Sequence, residues 1–204
     1  SHRVDVAVDR GLAYLAAVQT DQGFFPGRHG KTAGVVGLCA MAFLSKGHTP
    51  GYGEYGENID KCIDYILSIQ NRKNGYLGAH GGKMYSHNIG TLLLLEVSGM
   101  TDPERQKKID TAAGKAVKLI VAAQQVDKHK THQGGWRYSP GSKDSDLSCS
   151  GWALMALRSA RLNGMTVPDE TIEDAVAYVL RRHSKHKGSF GYQRTDDYHV
   201  TQTG

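Results

Sequence analysis

A repeat constrains this chain more than any other feature. Glycine followed closely by an aromatic residue recurs as Gly23-Phe24-Phe25, Gly75-Tyr76, Gly135-Trp136 and Gly188-Ser189-Phe190, at intervals of about 52 to 60 residues. Before the first three lies a glutamine that closes an amphipathic segment, at Gln19, Gln70 and Gln125. After each comes a short loop rich in Gly, His and Ser, then Thr or Ser opening an apolar run, at Thr32, Ser86, Ser148 and Thr201. A unit of this size cannot cover its own apolar face, so consecutive units must stack.

Each unit reads as helix, loop, helix. The first helices are expected over Val4 to Val18, Asn58 to Ile69, Pro103 to Gln125 and Pro168 to Arg182. One face of each is apolar, as in Val4, Val8, Leu12 and Leu15, or Ile59, Ile63 and Ile66, with charges opposite. Thr101 with Glu104 fits a capping box, and Pro103 and Pro168 suit a first turn, where a missing N–H costs little. The second helices, over Thr32 to Leu44, Asn88 to Val97 and Ser150 to Leu162, carry almost no charge, so they need cover on nearly every side. No alternating strand pattern is present. The expected fold is therefore all-α: about seven helices in one repeat domain, 1–204, with apolar helices inside and amphipathic ones outside. Its repeats run over about 1–50, 51–100, 101–165 and 166–204, the last one short.

Composition narrows the function. The chain is globular in character, with 204 residues, 39% hydrophobic residues and a formal charge of +5. The charge is spread thinly, and its densest parts, Lys128 to Lys130 and Arg181 to Lys187, fall where helices end, which argues against a nucleic-acid partner. The longest uncharged run, between Lys31 and Lys46, is shorter than the roughly 20 residues of a membrane span. Cys39, Cys62 and Cys149 are odd in number and sit in helical patterns, so no disulfide framework is expected; with no signal-like start, a cytoplasmic setting is favoured. Glycine, at 25 residues, is in excess and marks repeat loops and, at Gly34, Gly37, Gly90 and Gly151, tight packing of the inner helices.

Gln19-x-x-x-Gly23-x-Phe25 resembles the glutamine-aromatic repeat motif of squalene and oxidosqualene cyclases, and Gln133-Gly134-Gly135-Trp136 is a compressed relative of it. Over its whole length the chain resembles the prenyltransferase and squalene-cyclase repeat superfamily, which implies a partial α/α toroid. The resemblance implies a site in the central cavity, reached through the loops before the inner helices. Here those loops hold Arg28-His29, His80-Gly81-Gly82, Arg137-Tyr138 to Asp146, and Arg194 to His199. It also implies an isoprenoid or other apolar ligand. A complete ring would need further C-terminal repeats or self-association, since the chain stops at Thr201 to Gly204, where an eighth helix should begin.

Locally, Lys143-Asp144-Ser145-Asp146-Leu147-Ser148-Cys149-Ser150-Gly151-Trp152 is similar to the metal segment of protein prenyltransferase β subunits, and Asp197-Tyr198-His199 to the segment that supplies their histidine. That similarity implies zinc on Asp146, Cys149 and His199, with Asp146 and His199 as the catalytic pair. It implies diphosphate contacts from Lys143, Arg137 and His80, and an apolar tunnel of Trp136, Tyr138, Trp152 and Tyr198. Ser148 stands where the family has its metal thiolate, and Cys149 follows one residue later, turned by about 100° on a helix. The alternative is that Asp146 caps the inner helix and Cys149 packs as a small apolar group. A cyclase acid motif is incomplete, with only Asp144-x-Asp146 and Asp196-Asp197. The rival function is a noncatalytic repeat module that binds peptide, polysaccharide or lipid on its concave face.

Overall fold

A computed structural model describes residues 2–184, 188–195 and 197. Among them are seven helices: α1 (His2–Val18), α2 (Ala33–Ser45), α3 (Gly56–Ile69), α4 (Lys83–Glu96), α5 (Pro103–Gln124), α6 (Leu147–Leu162) and α7 (Asp169–Leu180). The chain is thus all-α but for one feature the sequence did not announce, a two-stranded hairpin of β1 (His183–Ser184) and β2 (Ser189–Phe190).

The uncharged segments pack side by side, α4 between α2 and α6, and the amphipathic helices α3, α5 and α7 lie against them. In α4 every residue from Ser86 to Leu95 is buried, as is Met84, leaving only Lys83, Tyr85 and Glu96 outside. Small residues set the spacing of the inner layer. A methyl group added at Gly34 would lie 2.8 Å from the Ser86 hydroxyl, at Gly37 3.2 Å from the Ile89 side chain, and at Gly90 3.0 Å from the Ala33 methyl. Gly151 departs from this expectation, because a Cβ there would meet nothing within 4 Å. It opens space on the inner face of α6.

The repeated glutamine has one structural job. Gln19 Nε2 donates to the Gly23 carbonyl in its own loop and to the Asn58 carbonyl of the next outer helix, at 3.2 and 3.1 Å. Gln70 does the same to Gly75 and Ala112, at 3.0 and 2.9 Å. In the third unit the clamp is Gln124, not Gln125, bonding Gly134 and Thr171 at 3.0 and 2.8 Å. The glycine it holds is therefore Gly134, one residue earlier than the aromatic pairing suggested. Its φ of +83° and the Asp174 carbonyl, which would sit 2.1 Å from an added Cβ, both require glycine. Two residues after each clamped glycine a side chain enters the core: Phe25, Leu77 and Trp136.

Several ends differ from expectation. α4 starts at Lys83, five residues before Asn88, so Ser86 and His87 lie inside the helix. The polar run does not stop it because His87 and the Asn88 amide nitrogen find partners within the fold. His87 Nδ1 accepts from the Leu77 N–H at 3.1 Å, and Nε2–H donates to the Ala116 carbonyl at 3.1 Å. α6 likewise starts at Leu147, on a cap from Asp146. The cap of α5 is Asp102, which accepts from the N–H groups of Glu104 and Arg105, rather than a Thr101–Glu104 box. Pro103 opens that helix, while Pro168 sits one residue before α7. The apolar face expected on α1 is covered only in its second half: Leu12 is buried, but Val4 and Val8 are exposed.

Candidate functional site

The loops before the inner helices meet at one end of the inner layer. Met84 N–H donates to the Tyr138 carbonyl at 2.9 Å, tying the third loop to the start of α4. Leu147 N–H donates to the Tyr192 carbonyl at 2.9 Å, tying the segment after β2 to the start of α6. Where the first three loops join is a cavity of about 310 Å³, lined by His29, Thr32, Lys83, Tyr85, Ser86 and Tyr138 with Gly81 and Gly82. No carboxylate lines it.

Beneath the cavity wall runs a chain of hydroxyls ending on a buried acid. Tyr85 O–H bonds the Ser148 hydroxyl, which donates to Asp146 Oδ1 at 2.8 Å. Asp146 is wholly buried, and the same oxygen accepts the Cys149 N–H at 2.8 Å, capping α6. Its other oxygen pairs with Arg137 Nη1 at 3.1 Å. Arg137 also donates to the Tyr192 hydroxyl at 3.2 Å, and its Nε lies 3.3 Å from Asp144. The Tyr138 and Tyr192 hydroxyls bond each other at 2.7 Å. The Tyr138 ring is a shared platform, with the Arg137 guanidinium 4.2 Å and the Lys83 ammonium 5.2 Å from its centroid. Burial pushes the Tyr85 phenol up to about 12, with the bond to Ser148 opposing it, so this hydroxyl stays a donor.

The residues expected at the site fall into three groups. Asp146, Arg137 and Tyr138 come together as described. Trp136 does not line a cavity: it is 1% exposed, and its indole N–H donates to the Ile120 carbonyl at 2.8 Å. Lys143 and His80 are exposed, the latter at a left-handed φ of +57°, and neither lines the 310 Å³ cavity. Trp152 is half-buried against the core from α6. Tyr198 and His199 lie outside the described residues.

Cys149 is buried, and its thiol donates to the Arg137 carbonyl at 3.1 Å. Burial, then the neighbouring Asp146, raises its pKa, which opposes formation of a thiolate. As placed, Asp146 caps α6 and Cys149 is a buried thiol hydrogen-bonded to the backbone. Among the described residues no three His, Cys, Asp or Glu side chains converge as a metal site.

Sequence reasoning missed Tyr85, Lys83 and Tyr192. Lys83 and Tyr85 were hidden by the late start expected for α4, and nothing in the sequence joins Tyr192 to Arg137, 55 residues away.

A second cavity, of about 620 Å³, lies at the other end of the same inner face. Met41 and Leu44 of α2, Leu92 of α4, and Met155 and Leu162 of α6 form its apolar walls, with Met100 from the following loop. Its ionisable groups are Glu96, which accepts the Ser159 hydroxyl at 2.8 Å, with His48 and Arg158. Helical spacing links the two ends. Tyr85, Ile89, Leu92 and Glu96 fall on one stripe of α4, and Ser148, Gly151, Met155 and Leu162 on one stripe of α6. From Ser148 to Leu162 that stripe is about 21 Å long at 1.5 Å per residue.

No known protein-family model matches the chain, and no curated protein matches it. Among the described residues no helix is long and apolar enough to cross a membrane.

Proposed function

We propose that the chain is a repeat module of the prenyltransferase and squalene-cyclase type that binds an amphiphile along its inner face. An anionic head group, of the diphosphate or carboxylate kind, sits in the cavity of His29, Lys83, Tyr85 and Tyr138. An isoprenoid or acyl tail runs down the stripe past Gly151 to the methionine-lined end. The observation that carries this reading is the alignment of two separate cavities along that stripe: a carboxylate-free polar one at one end, a largely apolar one at the other, and a glycine with open space between them. Methionine suits the tail end, since its flexible thioether adapts to chains of differing shape.

Binding is favoured over catalysis by the state of the acid that either enzymatic reading would use. Both oxygens of Asp146 are engaged beneath the cavity wall, Oδ1 by Ser148 and the Cys149 N–H and Oδ2 by Arg137, and Asp146 does not line the cavity. Its work is to hold Ser148, and through it Tyr85, in place. Arg137 is drawn into the same cluster, where it braces the Tyr138 ring that receives the head group.

Calorimetric titration tests this with three probes: inorganic pyrophosphate, farnesyl diphosphate, and an uncharged farnesol control. Farnesyl diphosphate should bind at least tenfold more tightly than either fragment, because it alone occupies both ends, and Lys83→Glu should abolish that advantage. Equal affinity for pyrophosphate and farnesyl diphosphate would refute the tail site. Turnover of farnesyl diphosphate by the purified chain would refute the noncatalytic assignment.

A further inference from the structure

Charge is divided unequally between the two ends of the bundle. The four segments gathered at the cavity mouth, residues 19–32, 70–83, 125–146 and 181–197, expose nine Lys or Arg side chains among the described residues. Against them stand three exposed carboxylates, Asp21, Asp127 and Asp197. The loops at the opposite end, 46–55, 97–102 and 163–168, expose one lysine, Lys46, and two carboxylates, Glu54 and Asp102. A chain whose charge looks thinly spread in sequence is thus strongly polarised once folded, because the antiparallel hairpins bring every second loop to the same end.

The cations at this end are not consumed by structural ion pairs. Of the ten salt bridges among the described residues, only those of Arg137 involve a base of these four segments. Two further cations of these segments are buried and serve the fold. Lys128 is buried and donates to the carbonyls of Ala123 and Gln124 at the end of α5, and Arg182 is buried over the Tyr178 ring. Among the described residues, none of the exposed large hydrophobic side chains lies in the four segments.

We infer that this basic end is a docking surface for an anionic lipid bilayer, held by electrostatics without insertion. The choice of a bilayer over another polyanion rests on the proposed amphiphile site, whose mouth opens on this same end, so docking would present it to the head-group plane. Each Lys or Arg near an anionic surface contributes additively and is screened within about 10 Å at 0.1 M salt, so the attachment should be salt-sensitive.

Co-sedimentation with vesicles tests the inference. The expected result is binding to phosphatidylcholine vesicles containing phosphatidylserine at low salt, with none to pure phosphatidylcholine and release at high salt. The triple variant Arg28→Glu, Lys73→Glu, Lys130→Glu, whose side chains make no contact in the cavity, should lose at least about tenfold in affinity. Arg3→Glu, Arg10→Glu, Lys107→Glu changes the net charge equally on outer helices and should bind as wild type does. Equal loss in the two triple variants would overturn the inference, leaving net charge alone as the cause. Tighter binding to duplex DNA than to anionic vesicles at equal phosphate concentration would overturn it in favour of nucleic acid. Vesicle binding by a protein that takes up no farnesyl diphosphate would leave the docking surface standing and remove the amphiphile reading.

Discussion

Acid should loosen this fold through one histidine, and the size of the effect follows from its surroundings. His87 lies wholly buried in α4, and burial, opposed by its bond to the Ala116 carbonyl, lowers its pKa from 6.5 to about 4. The folded state therefore keeps the ring neutral at pH values where the unfolded chain protonates it. Stability is fully present above pH 6.5 and is lost as pH falls toward the folded value near 4. At 1.36 kcal/mol per unit, the loss from this residue is about 1.4 kcal/mol by pH 5.5 and about 3 kcal/mol by pH 4. Protonation also turns Nδ1 from acceptor to donor, which breaks its bond with the Leu77 N–H. The assay is urea unfolding followed by circular dichroism at pH 7, 5.5 and 4, for wild type and His87→Phe. The variant should be less stable at pH 7, since two backbone groups lose their partners, but its stability should fall less between pH 7 and 4, by about the same 3 kcal/mol. Parallel pH profiles for the two proteins would refute the reasoning, because carboxylates elsewhere contribute equally to both.

Three further outcomes follow from the packing. Gln124→Ala should cost about 1 to 3 kcal/mol in thermal or urea unfolding, by orphaning the Gly134 and Thr171 carbonyls, while Gln125→Ala should stay within about 0.5 kcal/mol; equal effects would contradict the clamp. Gly134→Ala should destabilise beyond the usual glycine-to-alanine change, because the new Cβ meets the Asp174 carbonyl at a left-handed φ, and a neutral melt would contradict the close approach. Asp146→Ala should cost about 2 to 4 kcal/mol by removing the buried one of Arg137's two carboxylate partners and the cap of α6, again read by unfolding.

The helices were legible because their pattern is local. Uncharged runs gave α2, α4 and α6, and amphipathic runs gave α3, α5 and α7, from periodicity alone. What failed depended on contacts the chain makes with distant parts of itself. Ser86 and His87 read as residues before the helix until the partners of His87 at Leu77 and Ala116 are known. Gln124 and Gln125 are adjacent, and only the position of the following helix decides which one clamps. Gly151 looks like the packing glycines of α2 and α4, yet faces open space. At the candidate site, Asp146 and Arg137 were visible as residue types, but their pairing was not. Two of the residues on which zinc ligation or a tunnel was expected, His199 and Tyr198, lie outside the described residues.

The central claim is that a ligand tail lies along the inner face as far as the methionine-lined cavity. It is tested most directly by photo-crosslinking with a farnesyl diphosphate analogue carrying a diazirine at the tail end, followed by peptide mapping. Labelling is expected at Met41 to Ser45 and Met155 to Leu162, and its loss in Gly151→Trp, where the indole fills the open space in the stripe. Labelling confined to the exposed apolar positions of α1 or α7, or unchanged by Gly151→Trp, would contradict it.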